Sequence, residues 1–425
     1  MSILASNYEI FSLKSENREE IPLEGKISSF TYYESIFLPY VSGNVDIIDT
    51  GGEISYSSEV DRQERSGTIF NAYGIKGGEE IKFKIVNASG ELDFTSKPMI
   101  VKKSTNLKKE SNRDLMSLEL SSGFYLKDKN STVPESFRDI KYSDVVKNIL
   151  KQHSIDFEES NIEDSSNSVD YIGNSKKISD VMVDLAKKAK PGKGSPGFFF
   201  YENQEGHNFK SIDTLINQSP VNTTPYFQSE VMRSGVADGH NDYKIAKFDM
   251  VRNQDIESLF NSGSLSSKIN VWDPKTQIFS EKISYFDELN LKKMGSVNLV
   301  PDLAFSNEFS KTYESIIDYG TLSPLVASAP NSTEKYTESD SQTRYNILLS
   351  RIAKIQVPCN LCLKAGDIVR FDFEPITQDS KVQGVDPNQS GNYLIIDLSH
   401  YFDQTQSYTT MMVVRDSFGL HSSKD

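Results

Sequence analysis

The sequence is poor in the residues that build most catalytic and redox centres. It contains two cysteines and five histidines among 425 residues. The histidines are scattered, with no HExxH pair and no facial triad, and no G-x-S-x-G elbow occurs. They are His153, His207, His240, His400 and His421. We therefore expect no catalytic residue, no metal site and no cofactor, and the chain is predicted not to be an enzyme.

Three short segments partly resemble functional motifs, and each has a simpler interpretation. His240 is close to Asp242, but the pair lies in a turn rich in Gly and Asn, which is a poor place for a catalytic dyad. Residues 192–195 have the composition of a phosphate loop, yet they follow a predicted helix and lack the GxxxxGK[ST] spacing. We interpret them as a linker. The paired acids Glu158 and Glu159 lie in a polar loop and are interpreted as solvated.

The only cysteines, Cys359 and Cys362, form a C-x-x-C motif. A redox pair of this kind would begin a helix in a βαβ unit, whereas these two lie in a turn and short strand. A closed zinc site would need a second pair of ligands, which the sequence does not supply. We therefore expect buried structural thiols.

Long apolar runs and an excess of positive charge are also missing. No stretch approaches the ~20 apolar residues of a membrane helix, and the N-terminus reaches Glu9 before a signal-peptide core could form. We expect no membrane insertion and a cytosol-like compartment. The net charge of −14 argues against nucleic-acid binding. It fits an acidic surface that aids solubility, and it also fits a wall that repels passing DNA.

What the sequence does contain is the same series of landmarks near both ends. A turn leads into a strictly alternating strand at residues 78–85, and the same design recurs without a gap at residues 366–373. Period two places the apolar set on one face and the charged set on the other. The apolar sets are Ile81, Phe83 and Ile85 in the first copy and Val369, Phe371 and Phe373 in the second; the charged sets are Lys82 and Lys84, then Arg370 and Asp372. The charged residues face away from their core, toward a lumen, a neighbour or solvent.

Two further landmarks accompany each alternating strand. Upstream, a short strand ends in Asp, at residues 44–49 and again at 268–273. Downstream there is a hairpin, which pairs 99–102 with 115–120 in the first copy and 393–397 with 408–414 in the second. Polar loops separate the partners at 106–112 and 403–407, and Gly123 and Gly419 end the two copies. We interpret this repetition as an internal duplication.

The chain between the copies changes its hydrophobic period. Ser143 is a plausible N-cap for a helix that ends near His153, and a second apolar stripe runs from Ile178 to Ala189 before Pro191. A hairpin follows at 197–213. The predicted fold class is α+β, mainly β, with two similar antiparallel β-barrel domains, an inserted α/β domain and extra helices. The predicted domains are residues 1–123, the insert 124–224, and residues 225–425 interrupted by helices at about 301–319 and 340–356.

The order of these parts resembles the phage tail-hub family. The most informative stretch is a predicted helix followed by Val-Pro-x-Asn-Leu-x-Leu-x-x-Gly-Asp-x-Val at residues 357–369, with Cys359 where the family pattern has Gly. Residues 37–49 and the hairpin at 197–213 are also similar to hub proteins of T-even-like cyanophages. Members of the family include the central baseplate hub of T-even-type contractile phages and the N-terminal part of type VI secretion spike proteins.

The resemblance implies two tube-type barrels fused in one chain and assembled as a homotrimeric ring with pseudo-sixfold symmetry. Such a ring would adapt a threefold cell-puncturing spike to a sixfold tail tube and let DNA pass without specific binding. The implied partners are the spike trimer, the tail tube or its initiator, and baseplate wedge proteins. The implied location is the virion tail baseplate, assembled in the host bacterial cytoplasm.

Two other classes of function remain open from the residues alone. A tail-associated glycan or peptidoglycan hydrolase would need two carboxylates a few ångströms apart in a cleft, and the sequence reveals no such pair. A receptor-binding tail tip would predict a long repetitive or fibrous region, which the sequence lacks.

Overall fold

A computed structural model describes residues 6–15, 19–50, 54–57, 64–69, 74–110, 113–228, 240–285, 293–298, 309–317, 334–375 and 385–419. The chain is an α+β protein built mainly from antiparallel strands. The strands are β1 (Asn7–Lys14), β2 (Ile21–Pro22), β3 (Ile27–Ser35), β4 (Ser42–Asp49), β5 (Ile54–Ser57), β6 (Glu64–Gly67), β7 (Glu80–Asn87), β8 (Gly90–Asp93), β9 (Met99–Glu110), β10 (Arg113–Ser121), β11 (Ser136–Lys141), β12 (Ser168–Ile172), β13 (Phe198–Asn203), β14 (Gly206–Ser211), β15 (Tyr226–Gln228), β16 (Lys247–Arg252), β17 (Ser266–Asp273), β18 (Ile278–Tyr285), β19 (Val297–Asn298), β20 (Lys311–Ile316), β21 (Ile352–Pro358), β22 (Ile368–Phe373), β23 (Gly391–Asp403), β24 (Ser407–Val414) and β25 (Ser417–Phe418). The helices are α1 (Gly123–Asn130), α2 (Tyr142–Gln152), α3 (Ile178–Lys188), α4 (Ile212–Ile216), α5 (Ile256–Asn261) and α6 (Glu334–Leu348). No helix in the described ranges combines the length and apolar character needed to cross a membrane.

One order of strands occurs twice in the main sheet. Near the N-terminus the order is β3-β4-β10-β9-β7-β1, which we call the first repeat. Near the C-terminus it is β16-β21-β24-β23-β22-β15, which we call the second repeat. The outermost strands differ in direction, because β1 is antiparallel to β7 whereas β15 is parallel to β22. The duplication inferred from the sequence is thus present in the sheet topology.

The correspondence extends to single hydrogen bonds at the turn that opens each alternating strand. The Gly78 amide donates to the Val101 carbonyl at 2.8 Å, and the Val101 amide donates to the Glu79 carbonyl at 2.8 Å. The second repeat has the same two bonds, from Gly366 to Ile395 (2.9 Å) and from Ile395 to Asp367 (2.9 Å). The predicted apolar faces of β7 and β22 are confirmed, since every member is at most 2% exposed.

The two repeats share one continuous sheet. Strand β23 is long enough to serve both: residues 391–394 pair with β22, and residues 397–403 pair with β3 of the first repeat. An irregularity in its pairing with β24, between Ile395 and Asp397, separates the two halves. The result is a 14-stranded sheet. Phe402 and Leu361 of the second half of the chain belong to the core of the first repeat.

The upstream landmark of the second copy was assigned to the wrong strand. Residues 268–273 do form a strand, but β17 belongs to a separate three-stranded sheet with β18 and β20. The strand that occupies the position of β4 in the second repeat is β21. A short strand that ends in Asp carries no information about its pairing partners, because those partners are distant in sequence.

The predicted loop at residues 106–112 was also wrong over most of its length. Strand β9 continues to Glu110 and pairs with β10 as far as Arg113. Only residues 111–112 lie outside the described ranges. A polar, Lys-rich stretch suggests a loop in the sequence, but backbone pairing with β10 extends the strand through it.

Both helices predicted in the C-terminal part need correction. In the segment 301–319, residues 311–316 form β20, which pairs in parallel with β17; residues 301–308 and 318–319 are outside the described ranges. The helix expected at 340–356 is α6, which starts earlier and ends at Leu348. Ile352 and Ile355 belong to β21, because the β-branched run that follows Ser350 pairs with strands on both sides.

The α/β insert contains the two predicted helices and the predicted hairpin. Ser143 is the second residue of α2 instead of its N-cap, which is Lys141. Helix α3 and the hairpin β13–β14 lie where they were expected. Helix α1 and the pair β11–β12 were not predicted. The insert has its own apolar core around Val145, Ile149 and Leu185. Its boundaries at residues 124 and 224, and closure of the repeats into barrels, stay predictions.

The two corresponding glycines provide a matched test of packing at the joint. Both have left-handed backbones, with φ of +96° at Gly78 and +94° at Gly366. A Cβ at Gly366 would overlap the Tyr201 hydroxyl, whereas no described residue lies within 4 Å of a Cβ at Gly78. We expect Gly78→Ala to lower the free energy of unfolding by about 1–2 kcal/mol and Gly366→Ala by roughly 2–5 kcal/mol. Urea denaturation measures both, and equal losses would show that contact with Tyr201 does not matter.

Candidate functional site

The hairpin β13–β14, which we call the junction hairpin, lies between the insert and the second repeat. Its aromatic residues alternate between two cores, as period two requires. Phe198 and Phe200 pack into the core of the insert. Phe199 and Tyr201 pack with apolar residues of β22 and β23. The hairpin therefore fixes the insert against the second repeat through side chains on both of its faces.

Glu34 connects three parts of the chain at the tip of this hairpin. Its side chain belongs to β3 of the first repeat and is 3% exposed. One carboxylate oxygen accepts hydrogen bonds from the Gln204 amide (2.7 Å) and the Tyr32 hydroxyl (2.9 Å), and the other accepts one from the Ala365 amide (2.7 Å). Burial raises the pKa of Glu34 to about 7 despite these bonds. The carboxylate thus joins the first repeat, the insert and the second repeat at one point.

Glu202 makes a second connection between the hairpin and the first repeat. Its carboxylate accepts hydrogen bonds from the Val41 amide at 3.1 Å and the Ser122 hydroxyl at 2.5 Å. Burial raises the pKa of Glu202 to about 7. The neighbouring His207 ring is stacked on Phe200, and burial lowers the pKa of this histidine to about 3, so it is neutral near physiological pH.

Arg344 makes the third connection, between α6, the insert and the C-terminal segment. Its guanidinium is fully buried and donates to Asp213 at 3.0 Å and to Asp416 at 3.2 Å. Asp213 also accepts a hydrogen bond from the Ser195 amide at 2.8 Å. Asp416 accepts one from the Met294 amide at 2.9 Å. A buried positive charge is therefore matched by two buried carboxylates.

These hydrogen bonds and ion pairs are better suited to fixing the insert and the two repeats to each other than to catalysis. Buried carboxylates with raised pKa values are typical of catalytic acids. Here, however, Glu34 and Glu202 accept hydrogen bonds from backbone amides and hydroxyls inside the protein. Two cavities lined by described residues, one beside Cys359 and one beside Arg351, contain a single lining carboxylate between them, that of Asp242. The structure does not bring two carboxylates together in either cavity.

The cysteines line the larger of these cavities, about 560 Å³ between the two repeats. Cys359 is partly buried, and burial raises the pKa of its thiol to about 11. Cys362 is exposed, so the expectation of a buried thiol was wrong there; its position in the turn after β21 places it at the surface, where it donates to the Ser89 carbonyl. The described residues contain no group of three or more His, Cys, Asp or Glu side chains that could hold a metal ion.

The charged faces of β7 and β22 point away from the core, as predicted. Their residues form surface ion pairs, namely Lys82 with Glu20 (3.0 Å), Lys84 with Glu91 (3.0 Å) and Arg370 with Asp372 (3.4 Å). Such pairs contribute little to stability, about 0–1 kcal/mol each. These strands offer charged surfaces without a formed binding site.

Of the other candidate residues, Glu159 and His400 have partners within the protein. Glu159 is exposed and paired with Lys151 at 3.1 Å. His400 is buried against Thr409, and burial lowers its pKa to about 4. His240 begins a 3₁₀ turn, but its side chain, like all of His421, is outside the described part of the chain.

Sequence reasoning missed the residues that build the joint. Glu34 and Arg344 lie in ordinary polar surroundings along the chain, and only their distant partners make them special. Glu202 did carry a local signal, because it directly follows the four aromatic residues 198–201. An acidic residue that directly follows four aromatic residues is unlike the acidic residues found at exposed positions.

Comparisons with known proteins reveal the fold but no family. No family model matches the sequence, and no curated protein matches it. A 43 kDa tail protein of prophage MuSo2 from Shewanella oneidensis is similar in structure, with a TM-score of 0.53 and 9% identity over 96% of this chain and 99% of that chain. A tail protein from Neisseria meningitidis MC58 has a TM-score of 0.51 and 9% identity over 96% and 97% of the two chains. The chain thus shares the fold of these tail proteins over nearly its full length.

The raised pKa of Glu202 makes the free energy of unfolding depend on pH, and a neutral side chain at this position removes that dependence. Because its pKa is raised from 4.5 to about 7, its contribution is fully present below pH 4.5 and is lost as pH rises through 7. Glu202→Gln keeps an acceptor for Val41 and Ser122 but does not titrate. We expect the variant to gain roughly 1–3 kcal/mol relative to the parent between pH 5 and pH 8.

Urea denaturation of both proteins at each pH measures this difference. His207 lies 3.8 Å from Glu202, but its pKa of about 3 keeps it neutral between pH 5 and pH 8 in both proteins, as does the pKa of about 4 for His400, so the contributions of both histidines cancel. Glu158→Gln, at an exposed position, is the matched control and should show a constant difference. A constant difference for Glu202→Gln as well would contradict the assignment.

Removal of Arg344 should be far more damaging than removal of a surface cation. Arg344→Met leaves Asp213 and Asp416 buried without their counter-charge, and we expect a loss of about 3–5 kcal/mol. The control is Lys282→Met, since Lys282 is paired with Asp340 at 2.9 Å but is 39% exposed; we expect at most about 1 kcal/mol there. Thermal and urea unfolding measure both losses, and similar values would show that the buried pair is not a structural joint.

Proposed function

We propose that the protein is a non-enzymatic structural hub of a contractile phage-tail baseplate, of the T-even and cyanophage-like type. In this proposal three copies form a ring with pseudo-sixfold symmetry. The ring adapts a threefold spike to the sixfold tail tube, and DNA passes through its lumen without specific binding. The virion tail baseplate is its location, after assembly in the host bacterial cytoplasm.

The observation that carries this proposal is the likeness to two tail proteins, one of them from a prophage, over nearly the full length of the chains compared. The repeated strand order supports it, because three chains with two repeats each present six similar units. One polypeptide can then meet threefold symmetry on one side and sixfold symmetry on the other. The net charge of −14 fits a channel that repels DNA.

The buried contacts around the junction hairpin suit a protein that transmits force between its binding partners. Glu34, Glu202 and Arg344 fix the insert to both repeats and to the C-terminal segment. An adaptor has to transmit force between spike and tube without its own parts sliding. Proposed partners are the spike trimer, the tail tube or its initiator, and baseplate wedge proteins.

The alternative, a tail-associated glycan or peptidoglycan hydrolase, has no observation in its favour. Such an enzyme needs two carboxylates that face one substrate cavity. Neither the cavity lined by Cys359 and Cys362 nor the one lined by Arg351 provides that pair.

Mass measurement tests the proposed assembly. The chain of 47.8 kDa is co-expressed with the spike protein of the same phage or prophage, and the purified material is examined by light scattering and negative-stain microscopy. We expect three copies of the chain in each complex and an open ring in projection, because the spike supplies the threefold template. The chain alone is the control, since a hub can stay monomeric before its partner binds. A monomer both alone and with the spike would contradict the proposal.

A further inference from the structure

A cavity of about 510 Å³ lies at the outer edge of the second repeat, away from the junction hairpin. Its walls are apolar on two sides, with Phe248 and Met250 from β16 and Phe418 from β25. Amide side chains of Asn253 and Gln389 also line it. The lining further includes one charged residue, Arg351.

Arg351 is buried, and the described residues supply no counter-charge in contact with it. It is 2% exposed, and its guanidinium lies over the Phe418 ring at 5.0 Å. One terminal nitrogen donates to the Asn388 carbonyl at 2.6 Å. The Nε atom has no hydrogen-bond partner, and no carboxylate of the described residues forms an ion pair with this side chain. A cation removed from water in this way is energetically costly unless a partner is supplied.

A second arginine next to it has the same deficiency. Arg415 is fully buried and donates to the carbonyls of Ser390 (2.6 Å) and Gly419. Its Nε atom also lacks a partner among the described residues. Burial lowers the pKa of Arg415, the Tyr393 hydroxyl and Asp416 oppose that shift in part, and the positive charge of Arg351 adds to it. The nearest acid in sequence, Asp416, is already bonded to Arg344.

The contrast with Arg344 indicates what is missing. Arg344 has two carboxylates for one buried guanidinium, whereas the described partners of Arg351 and Arg415 are backbone carbonyls and the rings of Phe418 and Tyr393, with no carboxylate in an ion pair. An arginine whose side chain lines a cavity and forms no ion pair with a described carboxylate is suited to bind a carboxylate from outside, whose planar geometry matches the guanidinium. The aromatic and methionine walls favour an apolar group next to that carboxylate.

We propose that this cavity binds the carboxylate side chain of a Glu or Asp residue that a protein partner presents between apolar neighbours. Arg351 is the anchor, and Phe248, Met250 and Phe418 contact the flanking residues. The proposal concerns an edge of the second repeat and stands independently of the assembly proposed above.

The test uses the full-length chain and two capped peptides, Ac-Leu-Glu-Leu-NH2 and Ac-Leu-Gln-Leu-NH2. Arginine is labelled with ¹⁵N, and Nε–H correlations are recorded during titration. Arg351→Lys identifies the Arg351 resonance by its loss, and exposed Arg370 is the internal control. We expect the Glu peptide to shift the Arg351 resonance saturably and to leave that of Arg370 in place. The Gln peptide should not shift it.

Two further probes define the ligand class. Free glutarate, which lacks the apolar flanks, should bind roughly tenfold more weakly than the Glu peptide. Sodium sulfate at equal ionic strength should leave the resonance unchanged. Equal affinity for glutarate and the peptide would overturn the peptide assignment, and an equal shift with sulfate would reveal an unselective anion site. No shift with the Glu peptide, whether the cavity is closed or already filled, would overturn the proposal. The Glu and Gln comparison is made on the unmodified chain, so it does not depend on the folding of Arg351→Lys.

Discussion

Pairing between β3 and the second half of β23 is the constraint on which the rest of the architecture depends. It joins two repeats, each with its own core, into a single hydrogen-bonded sheet. It also places Glu34, near the end of β3, beside the turn that contains Ala365 and Gly366. The tip of the junction hairpin then closes this corner through the Gln204 amide and the Tyr201 ring. The insert is thus held against two repeats that are already fixed to each other.

Buried charge is handled in three different ways in this chain, and the difference separates structural from binding roles. Glu34 and Glu202 are satisfied by amides and hydroxyls of the protein itself. Arg344 is matched by carboxylates. In the described part of the chain, Arg351 and Arg415 have carbonyl and aromatic partners but no carboxylate in an ion pair, and the first of them lines a cavity. Because an uncompensated buried charge is costly, the third case is the one that points to an outside ligand.

The local pattern of apolar residues was sufficient to predict an element wherever one face of the strand or helix is buried. The alternation at Ile81, Phe83 and Ile85 and its copy in β22 predicted both alternating strands, and the apolar stripe of α3 predicted that helix. The pattern of apolar residues did not predict elements whose secondary structure depends on their pairing partners. Ile352 and Ile355 fit a continuing helix as well as a strand, and β-sheet neighbours on both sides settled the matter. The joint was beyond prediction, because Glu34 and Ala365 are separated by more than three hundred residues.

The outermost strands of the two repeats pair across different lengths of chain, so the two repeats become complete at different stages of synthesis. In the first repeat, Phe11 of β1 pairs with Phe83 of β7, so the ladder forms from one contiguous stretch of nascent chain. In the second, Tyr226 pairs with Phe371, about twice as far along the chain, with the segment containing β16–β20 and α6 emerging between them. The first repeat therefore has the lower contact order and can fold first, on the ribosome. Strand β3 then remains an unpaired edge until β23 has been synthesised and pairs with it.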